Sequence, residues 1–139
     1  MADPRVQLLR RIPLFGDCSD EELAFIATQV DDVEFQPGRV LCREGEPGGE
    51  FFVIVSGTAA VERRGEFLHR LGPGEFFGEI ALLDGGPRTA TVTVKEAMRC
   101  LVLGRSQFQN VIRQNTTIAV AVLQTLGERL RSLLASQPL

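Results

Sequence analysis

Residue types able to do chemistry together fall within one short stretch, Phe76-Phe77-Gly78-Glu79-Ile80-Ala81-Leu82-Leu83-Asp84-Gly85-Gly86-Pro87-Arg88-Thr89-Ala90-Thr91-Val92. Gly78 has no side chain, so the backbone can turn sharply there and a ligand can come close. Glu79 is a carboxylate able to accept from a hydroxyl. Arg88 is a permanent cation whose planar fork of donors fits a phosphate. Between them, Ile80, Ala81, Leu82 and Leu83 have good helix propensity, and Asp84-Gly85-Gly86-Pro87 must end that helix. A helix opening at Gly78-Glu79 aims free N–H groups and the positive end of its dipole outward, which suits an anion. Taken singly, Arg88 reads as a surface residue and Glu79 as a helix-start carboxylate favoured by the dipole. Taken together they ask for a ligand with an anionic group and a hydroxyl. A sugar phosphate meets both needs.

The elements that must position this loop follow from periodicity. The first forty residues read as helical: Pro4 suits a first turn, Val6, Leu8, Leu9 and Ile12 are apolar, and Pro13 turns the chain. Ser19-Asp20-Glu21-Glu22 has the form of a capping box, with Leu23, Phe25, Ile26 and Val30 on one helical face. From Asp31 the period becomes two. Val33 and Phe35, then Val40 and Cys42, flank the turn Gln36-Pro37-Gly38. Glu44-Gly45-Glu46-Pro47-Gly48-Gly49 is a second turn. Phe51 to Val55 is a strand ended by Ser56-Gly57, Ala59 and Val61 alternate onward, and Phe67 to Leu71 follows Arg63-Arg64-Gly65-Glu66. Gly72-Pro73-Gly74 leads into the central loop, after which Thr91 to Val94 and Met98 to Leu103 are strands. Short strands with Gly/Pro turns describe a mainly β jelly roll or comparable barrel. Ser106 caps a helix with Phe108, Val111 and Ile112, which Asn115-Thr116-Thr117 interrupts. A longer helix is expected from about Thr117 to Ala135, before Pro138. In it Ala119, Leu123, Leu126, Leu130 and Leu133 form a seam of about two heptads, short of the ~3–4 that define a coiled coil. That seam suits packing onto the barrel slightly better than a homodimer contact, and Val120 and Val122 widen the apolar surface enough for both.

Phe77-Gly78-Glu79-x-Ala81-Leu82 followed by Pro87-Arg88-Thr89-Ala90-x-Val92 closely resembles the phosphate-binding cassette of cyclic-nucleotide-binding domains. That family includes catabolite-activator-type regulators, regulatory subunits of cyclic-nucleotide-dependent kinases and gated channels. Glu44-Gly45-Glu46-Pro47-Gly48, Ser56-Gly57 and Leu71-Gly72-Pro73-Gly74 resemble its glycine-bearing turns, and Ile12-Pro13-Leu14-Phe15 with Ser19-x-x-Glu22-Leu23 its helical lead-in. The resemblance implies an eight-stranded jelly-roll (double-stranded β-helix) barrel at 31–104 with the cassette at 76–92. A helical lead-in at 1–30 would pack on the barrel, and two C-terminal helices at 105–139 would act as hinge and lid. It implies that Arg88 pairs with the equatorial phosphate oxygen, reinforced by the N–H groups of Thr89 and Ala90. Glu79 would accept from the ribose 2′-OH, framed by Phe77, Gly78, Ile80 and Ala81. Val61 and Leu71 would wall the purine, with Arg129 and Leu133 as base contacts from the lid. Against this, Val61 and Leu71 read equally as core, and Arg129 with Glu128 and Arg131 as a solvated face. Thr89 admits cGMP without demanding it, and cAMP is favoured modestly.

Composition bounds the alternatives. In 139 residues, 15 basic and 18 acidic side chains give a net charge of −3, with no broad basic footprint for nucleic acid. No apolar run approaches the ~20 residues that span a membrane, and the start at Met1 carries no signal-peptide pattern, so a cytoplasmic protein or a cytoplasmic piece of a larger one is expected. Cys18, Cys42 and Cys100 lack metal or disulfide spacing. Only His69 is available to a cupin-type metal enzyme, and no paired carboxylates or nucleophile–His pair point to catalysis. The expectation is therefore no enzyme, no cofactor and no metal. A DNA-binding regulator would need a recognition segment that is not in this sequence, so the regulated effector is sought elsewhere. The alternative is a family member that has lost its ligand and serves as a protein-interaction or dimerisation module.

Overall fold

The computed structural model describes residues 4–135. The expected chain start at Met1 and the stop before Pro138 lie outside them. The chain divides into two compact units, one spanning Thr28–Gln109 and one made of the helices before Ala27 and after Asn110.

The β unit is one antiparallel sheet of six strands: β1 (Asp31–Phe35), β2 (Val40–Cys42), β3 (Glu50–Arg63), β4 (Glu66–Leu71), β5 (Phe76–Phe77) and β6 (Thr91–Gly104). The main path runs β1-β6-β3-β4, with β2 added to β6 and β5 to β3. Its spine is the long β3–β6 pair, in register from Glu50 opposite Gly104 to Glu62 opposite Thr91. Two expected strand pairs, Phe51–Val55 with Ala59–Val61 and Thr91–Val94 with Met98–Leu103, are each continuous. What reads in the sequence as a break at Ser56-Gly57 is a set of register shifts between Ile54 and Ala59 within β3. That continuity gives six strands where eight were expected, and the described sheet is an open path with β1 and β4 at its ends. Phe52, Ile54, Ala59, Val61, Leu71, Phe77, Val92, Val94, Met98 and Cys100 form its buried apolar cluster. Alternation with period two holds on either side of the register shifts in β3, over Phe52 and Ile54 and again over Ala59 and Val61.

The helical unit holds α1 (Pro4–Arg10), a 3-10 turn at Pro13–Phe15, α2 (Asp20–Ala27), the end of α4 (Arg105–Gln114) and α5 (Thr116–Ala135), numbering the cassette helix Glu79–Asp84 as α3. The capping box forms as expected: Glu22 N–H donates to Ser19 Oγ at 3.1 Å and Ser19 N–H to Glu22 Oε1 at 2.9 Å, satisfying two donors that open α2. Arg10 donates to Asp20, tying α1 to α2. The break at Asn115 is also present. Its side-chain amide donates to Val111 O at 2.9 Å, so this buried polar group is satisfied where α4 hands over to α5. On α5 the buried apolar residues are Ile118 and Val122. The expected seam is offset from them: Leu123, Leu130 and Leu133 are exposed, Leu123 by 65%. Ala119 and Leu126 are half-buried. The packed side of α5 is thus not the Leu123–Leu130–Leu133 stripe.

Candidate functional site

The site is built on the connection from β5 to β6. Phe77 anchors its start, stacked on Phe52 with ring centroids 4.7 Å apart and planes within 10°. The next residue must reverse the chain, and Gly78 does so at φ 94°. A side chain there would be strained by that φ, would overlap Glu50 O and would stand 2.9 Å from Arg88 Nη1. From this turn α3 runs Glu79–Asp84, one short helix as the sequence predicts, and Gly85 N–H closes it on Ala81 O at 3.1 Å. Asp84 Oδ1 then accepts from Gly86 N–H at 2.8 Å, bending the chain toward Arg88.

Glu79 and Arg88 are both buried, with 3% and 6% of their surface exposed. Charged side chains are seldom buried this far unless they are held by partners. For Arg88 the partners are backbone carbonyls: Nη1 donates to Gly78 O at 3.0 Å and Nη2 to Glu50 O at 2.9 Å. Its main chain is zipped to the β2–β3 turn, Arg88 N–H donating to Glu46 O and Gly45 N–H donating to Arg88 O, both at 2.9 Å. Farther along, Glu44 N–H donates to Thr91 Oγ1 at 3.0 Å, and Arg63 Nε donates to Thr89 O at 3.1 Å. The guanidinium, a permanent cation, is therefore aimed by two main-chain oxygens. Such an arrangement favours an anion over a neutral ligand.

Of the other residues singled out in the sequence, Phe77 and Ala81 are buried and Gly78 and Ala90 half-buried, while Thr89 and Ile80 are exposed, Ile80 by 41%. Val61 and Leu71 are buried in the apolar cluster that also takes Phe77 and Cys42, with Ala90 packed against it. Val61 lies opposite Val92 on β6 and Leu71 opposite Ala59 on β3. Val61, Leu71, Phe77 and Ala90 thus share one apolar cluster, and Ala81, Glu79 and Arg88 belong to the same β unit. Arg129 and Leu133 stand on α5 in the helical unit.

Sequence reasoning did not foresee the contributions of Glu50, Arg63 and Cys42. Glu50 acts through its main-chain oxygen, which no residue type announces. Cys42 lies close enough to the site to feel it. Burial pushes its thiol up to about 11, with Arg88 pulling it down and Glu50 and Glu79 pushing it up. Among the described residues no group of three or more His, Cys, Asp or Glu side chains could hold a metal ion, and no helix is long and apolar enough to cross a membrane.

The family model for the cyclic nucleotide-binding domain matches residues 32–115. At 30% identity over 130 residues the chain is similar to a CRP-like cAMP-activated global transcriptional regulator of Mycobacterium tuberculosis, covering 90% of this chain and 58% of that protein. Among solved structures, the Thermus thermophilus catabolite activator protein is similar with a TM-score of 0.78 and 29% identity, over 87% of this chain and 59% of that one. The regulatory subunit of a cAMP-independent protein kinase A from Trypanosoma brucei is similar with a TM-score of 0.78 and 25% identity, over 86% and 43%. The chain spans less than two thirds of the length of each of these relatives.

Proposed function

Because this chain belongs to the cyclic nucleotide-binding domain family, we propose that it is a regulatory sensor for a cyclic nucleotide, with cAMP favoured and cGMP admitted through Thr89. The observation that carries the reading is the buried pair of Glu79 and Arg88 on one glycine-started loop, with Arg88 aimed by two neutral carbonyls. In this reading Arg88 binds the cyclic phosphate, the N–H groups of Thr89 and Ala90 add to it, and Glu79 accepts from the ribose 2′-OH. Phe77, Gly78, Ile80 and Ala81 frame the sugar and phosphate. Val61 and Leu71 back the purine, and Arg129 and Leu133 reach the base when α5 closes as a lid. Closure is a population shift drawn by the better contacts of the bound form. The protein acts by binding and not as an enzyme, needs no cofactor and works in the cytoplasm. Its effector is a separate domain or protein, and this domain makes no direct contact with nucleic acid. The cAMP preference is supported by the description of the mycobacterial relative as cAMP-activated.

The test is titration calorimetry with cAMP and with cGMP on the wild-type chain and on Arg88→Ala. Binding by cAMP in the micromolar range or tighter is expected, weakened about 100-fold or more in the variant. That corresponds to the loss of a desolvated charge-assisted pair, on the order of 3 kcal/mol. The relative described as cAMP-independent favours a second reading, a binding fold without this ligand. No heat and no rise in melting temperature with either nucleotide would select it.

A further inference from the structure

We propose, resting on the reading of Arg88 as the phosphate ligand, that Gly48 and Arg105 are positioning residues for Arg88: the bare Cα of Gly48 is the surface on which the guanidinium lies, and Arg105 pins that surface from the start of α4. A Cβ added at Gly48 would overlap Arg88 Nε and Cζ and stand 2.6 Å from Cδ, so the three nearest atoms it meets all belong to Arg88. Gly48 is not among the residues with positive φ, so the backbone itself would accept an L side chain. The demand for glycine here is made by Arg88. Arg88 is also held by the carbonyls of Gly78 and Glu50, and it is buried, so moving it away from a new side chain strains or breaks those hydrogen bonds.

The surface also needs holding. Gly48 and Gly49 are consecutive glycines with wide backbone freedom, and a loose floor would not fix a guanidinium. Arg105 Nη2 donates to Gly48 O at 3.1 Å. Arg105 is the first residue of α4. The same turn is zipped to the Arg88 main chain through Gly45 and Glu46. The path Arg105–Gly48–Arg88 therefore joins the first turn of α4 to the cassette by one hydrogen bond and one steric contact. Any coupling along this path is reciprocal: a ligand at Arg88 that shifts α4 is one whose affinity a shift of α4 alters equally.

The test uses Gly48→Ala, Arg105→Ala and Arg105→Lys in the full chain, with Arg88→Ala as a second background. Three readouts are thermal melting, calorimetry with cAMP, and the Arg88 side-chain Nε–H resonance of the ligand-free protein, assigned by its loss in Arg88→Lys. Gly48→Ala should lower the melting temperature when Arg88 is present and have little effect in Arg88→Ala, where the new methyl has room. It should also move the Arg88 resonance and weaken cAMP by on the order of tenfold. Arg105→Ala should move the same resonance and weaken cAMP about threefold to fivefold, with Arg105→Lys restoring most of both, since lysine can still donate to the Gly48 carbonyl. Equal melting losses for Gly48→Ala in both backgrounds, with the Arg88 resonance unmoved, would overturn the role of Gly48. An unmoved resonance in Arg105→Ala would overturn that of Arg105. Failure of the wild-type chain to bind cAMP would sink the ligand reading alone, because the melting cycle and the resonance need no ligand.

Discussion

The cassette and α5 treat their most conspicuous residues in opposite ways. In the cassette, charged side chains are buried and aimed: Glu79 and Arg88 lie inside, and Arg88 is fixed by named carbonyls. On α5 it is the apolar side chains that lie outside, with Leu123, Leu130, Leu133 and Leu134 all more than half exposed. A buried charge is costly to hold, so the fold around it must supply oriented oxygens and a turn only glycine makes. An exposed leucine costs little and asks nothing of its surroundings. The contrast shows where the chain has invested its geometric constraints. They converge on residues 44–50 and 77–91.

The largest effect that sharpens this contrast should come from Phe52. Its ring stacks on Phe77 at the foot of the cassette and it is 2% exposed, so Phe52→Ala removes both burial and a well-packed aromatic pair. The expected cost is about 3–5 kcal/mol of stability, read by denaturant unfolding. A loss below about 1 kcal/mol would mean the cassette floor is not the packed core described here.

An intermediate effect is expected with pH. Burial raises the thiols of Cys42, Cys18 and Cys100 from 9.0 to about 11, about 11 and about 12 respectively. Raised acids are still protonated in the folded chain when the unfolded chain has begun to lose protons, so stability falls as pH rises. The contribution is intact below pH 9 and is lost progressively between about 9 and 12. Melting followed from pH 7 to 11 should be flat at first and then decline, and Cys100→Ala should soften the decline. A decline unchanged by removing Cys100 would place the alkaline sensitivity elsewhere.

The smallest effect should come from α5. The pair of substitutions Leu123→Glu and Leu130→Glu should change the stability of the single chain by no more than about 0.5 kcal/mol each, because neither side chain is buried. Light scattering on the same variant reads whether the exposed stripe joins two copies. A loss of several kcal/mol in a chain that stays monomeric would break the contrast between the two regions.

Several of these features are legible in the sequence. Ser19 and Glu22 announced their reciprocal cap by spacing alone, and the α4–α5 break was marked by Asn115-Thr116-Thr117. The start of α3 at Gly78-Glu79 and its end at Gly85 follow from residues with few other uses. The strand count was not legible, since Ser56-Gly57 signals a turn in sequence but is absorbed as register shifts inside β3. Nor was the seam: heptad spacing gives which leucines share a face, not which face is packed, and Ile118 and Val122 took that place. The oxygens that aim Arg88 were invisible for a simpler reason. Every residue carries a carbonyl, and only the fold decides which ones point at a guanidinium.

The most direct test of the central account is an amide NMR titration of the described chain with cAMP, set against the contrast between its two regions. Chemical-shift changes should be largest at Gly78 to Ala81 and at Arg88 to Ala90, and in Arg88→Ala they should need about 100-fold more cAMP. Shifts absent from those residues at saturating cAMP would contradict it.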